Sequence, residues 1–273
     1  MSGDRGAEVV VRAAAGSLQK YANLDLILVG DERELGELVA SIVGTEPRLR
    51  IQHASEVVGM SEAPVEALRQ KKDSSMRVAI NLVKSGDADA CDSAGNTGAL
   101  MATSKFVLKM LPGIDRPAII TELPAIGGSL HMLDLGANTQ GSAEHLFQYA
   151  VMGSIVSSDI LGIERPKVAL LNIGAEDTKG HDTIKDASAL LQASTLNYVG
   201  FIEGSDLFAG KADVVVTDGF TGNVALKTME GTVGLAKHYL RRAFSRNWLT
   251  KLQALLAGPV LRKLAIEMDS RNY

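Results

Sequence analysis

The sequence predicts a layered α/β protein, and three observations carry that prediction. Of its 273 residues 46% are apolar but only 4% aromatic, so small and branched aliphatic side chains must build the core. Such side chains suit closely packed strands and helices. Short β-branched runs alternate with stretches long enough for a helix. Several of those runs are apolar throughout, as expected of strands covered on both faces and therefore paired in parallel or mixed fashion.

In chain order the expected strands are Leu24 to Val29, Arg50 to His53, Asp89 to Asp92, Ala118 to Leu123, His131 to Leu135, Lys167 to Ile173, Tyr198 to Ile202 and Asp213 to Thr217. With helices between most of them, the expected architecture is a three-layer α/β/α sheet. No repeat, low-complexity tract or Pro/Gly/Ser-rich linker divides the chain, so residues 1–230 are expected to form one compact α/β body. Beyond Thr221 the pattern is helical only. Trp248, Leu249, Leu252, Leu255 and Leu256 fall near helical spacing until Gly258-Pro259, which is expected to break the run. Residues 231–273 are therefore expected to form a projecting helical pair, which either covers the sheet or a dimer partner or docks on a membrane or protein.

Charge is unevenly distributed. Residues 231–266 hold no Asp or Glu but seven basic residues, Lys237, Arg241, Arg242, Arg246, Lys251, Arg262 and Lys263, which leaves 21 basic against 32 acidic residues, a charge of −11, elsewhere. That balance argues against general nucleic-acid binding and for one basic attachment surface. The single cysteine, Cys91, can form no disulfide within the chain and, set in an apolar run, is expected to be an inert buried thiol. Residues Met1 to Glu8 carry Asp4, Arg5 and Glu8 and no apolar run, so no secretory signal is expected. No run reaches the ~18 apolar residues of a membrane span. A cytoplasmic protein is expected.

Five segments could carry chemistry. Asp92-Ser93-Ala94-Gly95-Asn96-Thr97-Gly98-Ala99 leads from an expected strand into a helix, a grammar in which free N–H groups and the positive end of the helix dipole favour an anion. Thr217-Asp218-Gly219-Phe220-Thr221-Gly222-Asn223 repeats it after a second strand. In open α/β sheets ligands bind beyond the carboxyl ends of strands, where both loops belong. Asn172 to Gly180 ends another strand in a charged loop whose Lys179 either neutralises phosphate or is an ordinary exposed lysine. Asp134, in Leu133-Asp134-Leu135-Gly136-Ala137-Asn138, either serves a site or caps a turn. Arg116 either clamps an anion or pairs with Asp115. The five histidines lie apart without metal-ligand spacing, and no GxSxG elbow, Walker A loop or complete GxGxxG fingerprint occurs.

Taken together, Ser93 to Ala99, Gly113-Ile114-Asp115-Arg116-Pro117-Ala118, Leu133 to Asn138 and Thr217 to Asn223 resemble the phosphate acyltransferase family of bacterial phospholipid synthesis. Leu171-Asn172-Ile173-Gly174, Lys179-Gly180 and Leu226 to Gly231 extend the resemblance in the same order, across almost the whole chain. It implies transfer of a fatty acyl group from acyl carrier protein to inorganic phosphate, a homodimer, no cofactor, and a fold similar to isocitrate and isopropylmalate dehydrogenases and phosphate acetyltransferases. Met1-Ser2-Gly3-Asp4 looks like the segment that follows the family's first strand, and Ser270-Arg271-Asn272-Tyr273 stops before its glycine-rich C-terminal part. Asp92 stands where the family is usually apolar, and Thr139-Gln140 where Val-Asp is more usual.

On this resemblance Asn96, Thr97, Lys179 and Asn223 are the expected catalytic residues, and Ser93, Gly95, Gly98, Arg116, Asp134, Asn138, Asp218, Gly219, Thr221 and Gly222 the expected substrate contacts. The reaction needs no enzyme nucleophile, because phosphate attacks the thioester itself, and a thiolate of ordinary pKa near ~8.5 leaves with little proton donation. Arg241, Arg242, Arg246, Trp248, Leu249, Lys251, Leu252 and Leu256 are expected to dock on an anionic membrane surface or a partner, placing the protein peripherally at the inner face of the membrane beside a downstream acyltransferase. The alternatives are an acyl-coenzyme A phosphotransferase or a dehydrogenase of the same fold, and an inactive membrane-surface scaffold. A dehydrogenase would need a metal held by several aspartates, and no dense aspartate cluster follows any one strand.

Overall fold

The computed structural model describes residues 6–267, the side chains of residues 265 and 267 excepted. The motif residues Met1 to Asp4 and Ser270 to Tyr273 lie outside the described residues. By its backbone contacts the chain divides into two compact units, 1–113 and 114–273. No sequence linker announces that division. The boundary expected near residue 230 falls instead within one continuous helix.

In the first unit, helix α1 (Gly6–Lys20), strand β1 (Leu26–Gly30), helix α2 (Glu32–Ile42) and strand β2 (Leu49–His53) form a parallel two-stranded sheet with its covering helices. Val11, Ala14, Leu28 and Leu35 make its core. Asp31 stops the chain after β1 and caps α2 by accepting from the Glu34 N–H at 2.9 Å. Helices α3 (Pro64–Gln70), α4 (Ser75–Ser85) and α5 (Thr97–Leu108) pack around Val58, Met76, Ile80, Ala99 and Val107.

The strand expected over Asp89 to Asp92 does not form. Only Ala90 and Cys91 separate two aspartates there, too short an apolar run, flanked by a residue type depleted in strands. Cys91 is half-buried against the α3–α5 core, and burial pushes its thiol pKa up.

The second unit holds a five-stranded sheet in the order β3-β4-β7-β5-β6. Strands β3 (Ile120–Ala125) and β4 (Gly128–Leu133) form an antiparallel hairpin, while β4, β7 (Val214–Val216), β5 (Lys167–Leu171) and β6 (Asn197–Ile202) run parallel. Helices α6 (Ala143–Leu161) and α7 (Asp182–Gln192) cover one face through Leu146, Tyr149, Ile184 and Leu191. Helix α8 (Gly219–Phe244) covers the other through Ala225, Leu226 and Met229. The apolar runs explain the layering: Val214 and Val216 face the α6 side while Val215 faces the α8 side, and all three are fully buried.

Helix α9 (Trp248–Glu267) follows α8 and packs against it. The break expected at Gly258-Pro259 lies instead at Ser245 to Asn247, and Pro259 sits inside α9. Proline removes one helical hydrogen bond, the one to the carbonyl of Leu255. Leu255 is 75% exposed, so the helix runs on where water can take over that bond.

Candidate functional site

The candidate site of the second unit grows from the ends of β4 and β7. After β4 the chain turns sharply, and the fully buried Asp134 ties the turn: its carboxylate accepts from the Ala137 N–H at 2.8 Å, the Asn138 N–H at 3.0 Å and the Asn138 side-chain amide at 2.9 Å. The same amide donates to the carbonyl of Pro117 at 2.8 Å and lies 2.9 Å from the Tyr149 hydroxyl. Burial, and then the nearby Asp134 charge, push the Tyr149 phenol up to about 12. Asp134 and Asn138 therefore hold the turn in shape.

After β7 the chain passes Thr217, whose buried hydroxyl has no partner among the described residues, and enters α8 at Asp218. Asp218 accepts from the Thr221 N–H at 2.9 Å and from the Thr221 hydroxyl at 2.8 Å. Two glycines let α8 rest on the turn. A Cβ at Gly219 would lie 2.6 Å from the Asn138 carbonyl oxygen, and one at Gly222 would overlap the Asp134 carbonyl oxygen. Gly219 instead donates its N–H to the Asn138 carbonyl at 2.9 Å. Asn223 stands exposed beside Gly136, whose φ of +123° favours glycine.

Beyond these ends lies a polar cleft of about 530 Å³. Its wall comes from three helix starts: Thr139, Gln140 and Gly141 before α6, His181 and Thr183 at α7, and Asp218, Phe220 and Thr221 at α8. Ser142 caps α6 in a reciprocal pair with His145, whereas His181 caps α7 with no side-chain bond. The first N–H groups of a helix lack partners within it, and its dipole is positive there, so three converging starts favour an anion of phosphate size.

Of the expected residues, Asp218 and Thr221 line this cleft, with Asp134, Asn138, Gly219, Gly222 and Asn223 behind or beside it. Arg116 extends to the carbonyl of Gln140 at 3.5 Å, while Asp115 is bonded to Gln148. Lys179 is exposed, its side chain folded beside Gly174 and outside the cleft wall. Its loop closes on itself where the Asn172 amide donates to the Lys179 carbonyl at 3.2 Å. Sequence reasoning missed His181, Thr183, Gln140 and Phe220. Thr139 and Gln140, noted there only as departures from the family pattern, form part of the wall.

The other expected loop belongs to the first unit. Asn96 caps α5 by accepting from the Ala99 N–H at 3.0 Å, and its amide donates to the carbonyls of Gly59, Met60 and Glu62 at 3.3, 3.0 and 2.9 Å. Gly98 lets α5 approach α3, since a Cβ there would lie 2.9 Å from the Pro64 ring. Ser93 accepts from the Gly95 N–H at 3.2 Å, and Thr97 is exposed. Lys71 and Glu62 brace the partner segment at 2.6 Å, which holds the Glu62 carboxyl below its usual range.

In the basic segment, Arg241, Arg242, Arg246, Trp248, Leu249, Lys251, Leu252 and Leu256 are all exposed. Among the described residues no helix is long and apolar enough to cross a membrane, and no group of three or more His, Cys, Asp or Glu side chains is placed to hold a metal ion.

Comparison with known proteins extends these findings. The chain matches the family described as "Fatty acid synthesis protein" over residues 1–273. A phosphate acyltransferase of Nitrosococcus oceani is 57% identical over 276 residues, covering 100% of this chain and 81% of that protein. One from Alkalilimnicola ehrlichii is 56% identical over 274 residues, covering 100% and 80%. The EutD phosphotransacetylase from Staphylococcus aureus shares the fold with a TM-score of 0.56 at 18% identity, over 83% of this chain and 79% of that one.

Proposed function

The chain belongs to the fatty acid synthesis protein family as an acyltransferase, and from that premise we propose that it moves a fatty acyl group from acyl carrier protein thioester to inorganic phosphate, yielding acyl phosphate. The observation that carries this reading is the polar cleft where α6, α7 and α8 begin. It presents the positive dipole ends of three helices to an anion, with the Asp218 carboxylate on the same wall.

In the proposed step a phosphate oxygen attacks the thioester carbonyl carbon. A C–O bond forms, the carbonyl pair moves onto oxygen, and its return expels the thiolate as the C–S bond breaks. Phosphate is drawn to the positive end of the α8 dipole, whose first turn Asp218 fixes by accepting from both the Thr221 N–H and hydroxyl. Asn223, whose amide no described residue engages, supplies a donor to the oxyanion. Arg116 and Lys179 add positive charge on approach. In the first unit, Asn96 shapes the Ser93 to Gly98 loop. The protein acts as a homodimer, and residues 231–273 attach it to anionic membrane, where a further acyltransferase consumes the product.

Hydroxylamine trapping tests the reaction. The protein is incubated with acyl carrier protein thioester and phosphate, and because hydroxylamine also attacks the thioester itself, the expected result is hydroxamate forming faster with protein and phosphate together than with either left out. Hydroxamate that forms equally fast without phosphate, or without the folded protein, overturns the proposal.

A further inference from the structure

Two side chains on the wall of the polar cleft can carry charge, Asp218 and His181. Asp218 is committed, since its two carboxylate oxygens accept from the Thr221 N–H and hydroxyl. His181 is not: it stands exposed at the start of α7, and its imidazole makes no capping bond there. Fixed charges of both signs surround it. Asp218 stands at the start of α8, Glu144 in the first turn of α6, and Arg116 at the carbonyl of Gln140. Glu176, Asp177 and Lys179 lie in the loop before His181, and Asp182 and Lys185 follow it in α7. His145 is already engaged, its ring accepting from the Ser142 N–H at 3.0 Å. Carboxylates, amines and guanidines as classes keep their charge through neutrality, whereas imidazole is the side chain that changes it between about pH 5 and 8. The charge of this wall is therefore set at His181.

We propose that His181, in its protonated form, is the charged contact of phosphate in this cleft, so that the site takes up a proton from solvent along with its anion. The assignment rests on reading the cleft as the phosphate site, and it can be measured without any turnover. In the empty cleft the positive end of the α7 dipole opposes a charged imidazole beside it, and a bound dianion offsets that opposition. The linkage is reciprocal: by whatever factor the anion favours the protonated ring, protonation tightens the anion. Anion affinity is then greatest at low pH and falls as the pH rises and the ring loses its proton.

Nuclear magnetic resonance titration of the five histidine rings in the full chain tests the proposal. His181→Asn identifies the His181 signal by its loss and keeps a residue type favoured at a helix start, so the fold should survive it. Sulfate at constant ionic strength is the probe, because it stays a dianion throughout the imidazole range and only the protein titrates. It is expected to raise the His181 midpoint by at least about half a unit, which corresponds to about threefold tighter binding to the charged ring. His238, in the basic stretch of α8, is the control for sulfate drawn merely to the seven cations of residues 231–266. A His181 midpoint that stays in place, or moves no further than that of His238, overturns the assignment. The two readings fail separately. Sulfate that shifts the backbone amide signals of Thr183 and Thr221 but not the His181 midpoint refutes the assignment and keeps the anion site, whereas no change at any of the three refutes both.

Discussion

Gly222 offers a sharp test of how α8 is seated. In a helix interior, replacing glycine by alanine normally stabilises by about 0.8–1.0 kcal/mol. At Gly222 the new methyl would overlap the Asp134 carbonyl oxygen and lie 2.9 Å from the Thr217 methyl. Neither neighbour can yield cheaply, because Asp134 is locked into its turn by three hydrogen bonds and Thr217 is fully buried at the end of β7. Overpacking of this kind costs about 1–3 kcal/mol, enough to outweigh the helix gain. Gly231 and Gly234 lie in the same helix with nothing within 4 Å of an added Cβ. The same substitution should therefore change sign along one helix: Gly222→Ala destabilises and reduces acyl transfer by shifting the Asp218 cap, whereas Gly231→Ala and Gly234→Ala stabilise. Urea unfolding of the three variants, with initial rates measured on each, reads both effects. If Gly222→Ala gains stability as its two controls do, α8 does not rest on the turn and the account of the cleft is wrong.

Other expectations divide shape from chemistry. Asn96→Ala removes a cap and three carbonyl contacts, so it should cost about 1–3 kcal/mol in urea unfolding; an unchanged midpoint would show those bonds to be idle. Asn223→Ala should instead leave the midpoint nearly unchanged and lower kcat by ~10²–10³, the cost of one oxyanion donor, and a loss of stability with normal kcat would make it structural. Burial holds the His131 imidazole below its usual pKa, with Ser157 at 2.7 Å from its ring and the Glu122 carboxylate opposing the shift. The unfolded chain then takes up the proton first. The stability His131 contributes is full above about pH 6.5 and falls as pH drops from there toward the lowered folded value, so His131→Gln should flatten the stability curve below about pH 6.5. Leu252→Glu combined with Leu256→Glu should abolish sedimentation with anionic vesicles while sparing acyl transfer in solution, and vesicle binding that survives both changes refutes the membrane dock.

The strands most legible in the sequence were those buried on both faces. Val214 to Val216 and Lys167 to Leu171 have no competing period, so composition and length sufficed. Asp89 to Asp92 misled because a short apolar pair beside a glycine-rich loop imitates the strand–turn–helix grammar, although its two aspartates argue against pairing. The split after residue 113 carries only Pro112-Gly113, a turn signal no stronger than several others in the chain. Within the site, Asp218 and Thr221 were readable because a polar, glycine-containing loop follows an apolar strand and leads into a helix. His181 was not, because the cleft assembles residues from three distant helix starts and no local pattern marks their convergence. Asn96 was visible as a loop asparagine, but its engagement with residues 59–62 is a tertiary fact that spacing along the chain does not encode.

The turn from Asp134 to Asn138 is anchored almost without ion pairing: the three donors to its carboxylate are neutral amides, and its outward links reach a carbonyl and a phenol. Dissolved salt weakens the pull between separated charges in water but acts little on dipoles packed together in a dry interior. The host is thus insulated from ionic strength while its anionic guest is not. On the proposed reading, added salt raises KM for phosphate while the turn itself stays in place.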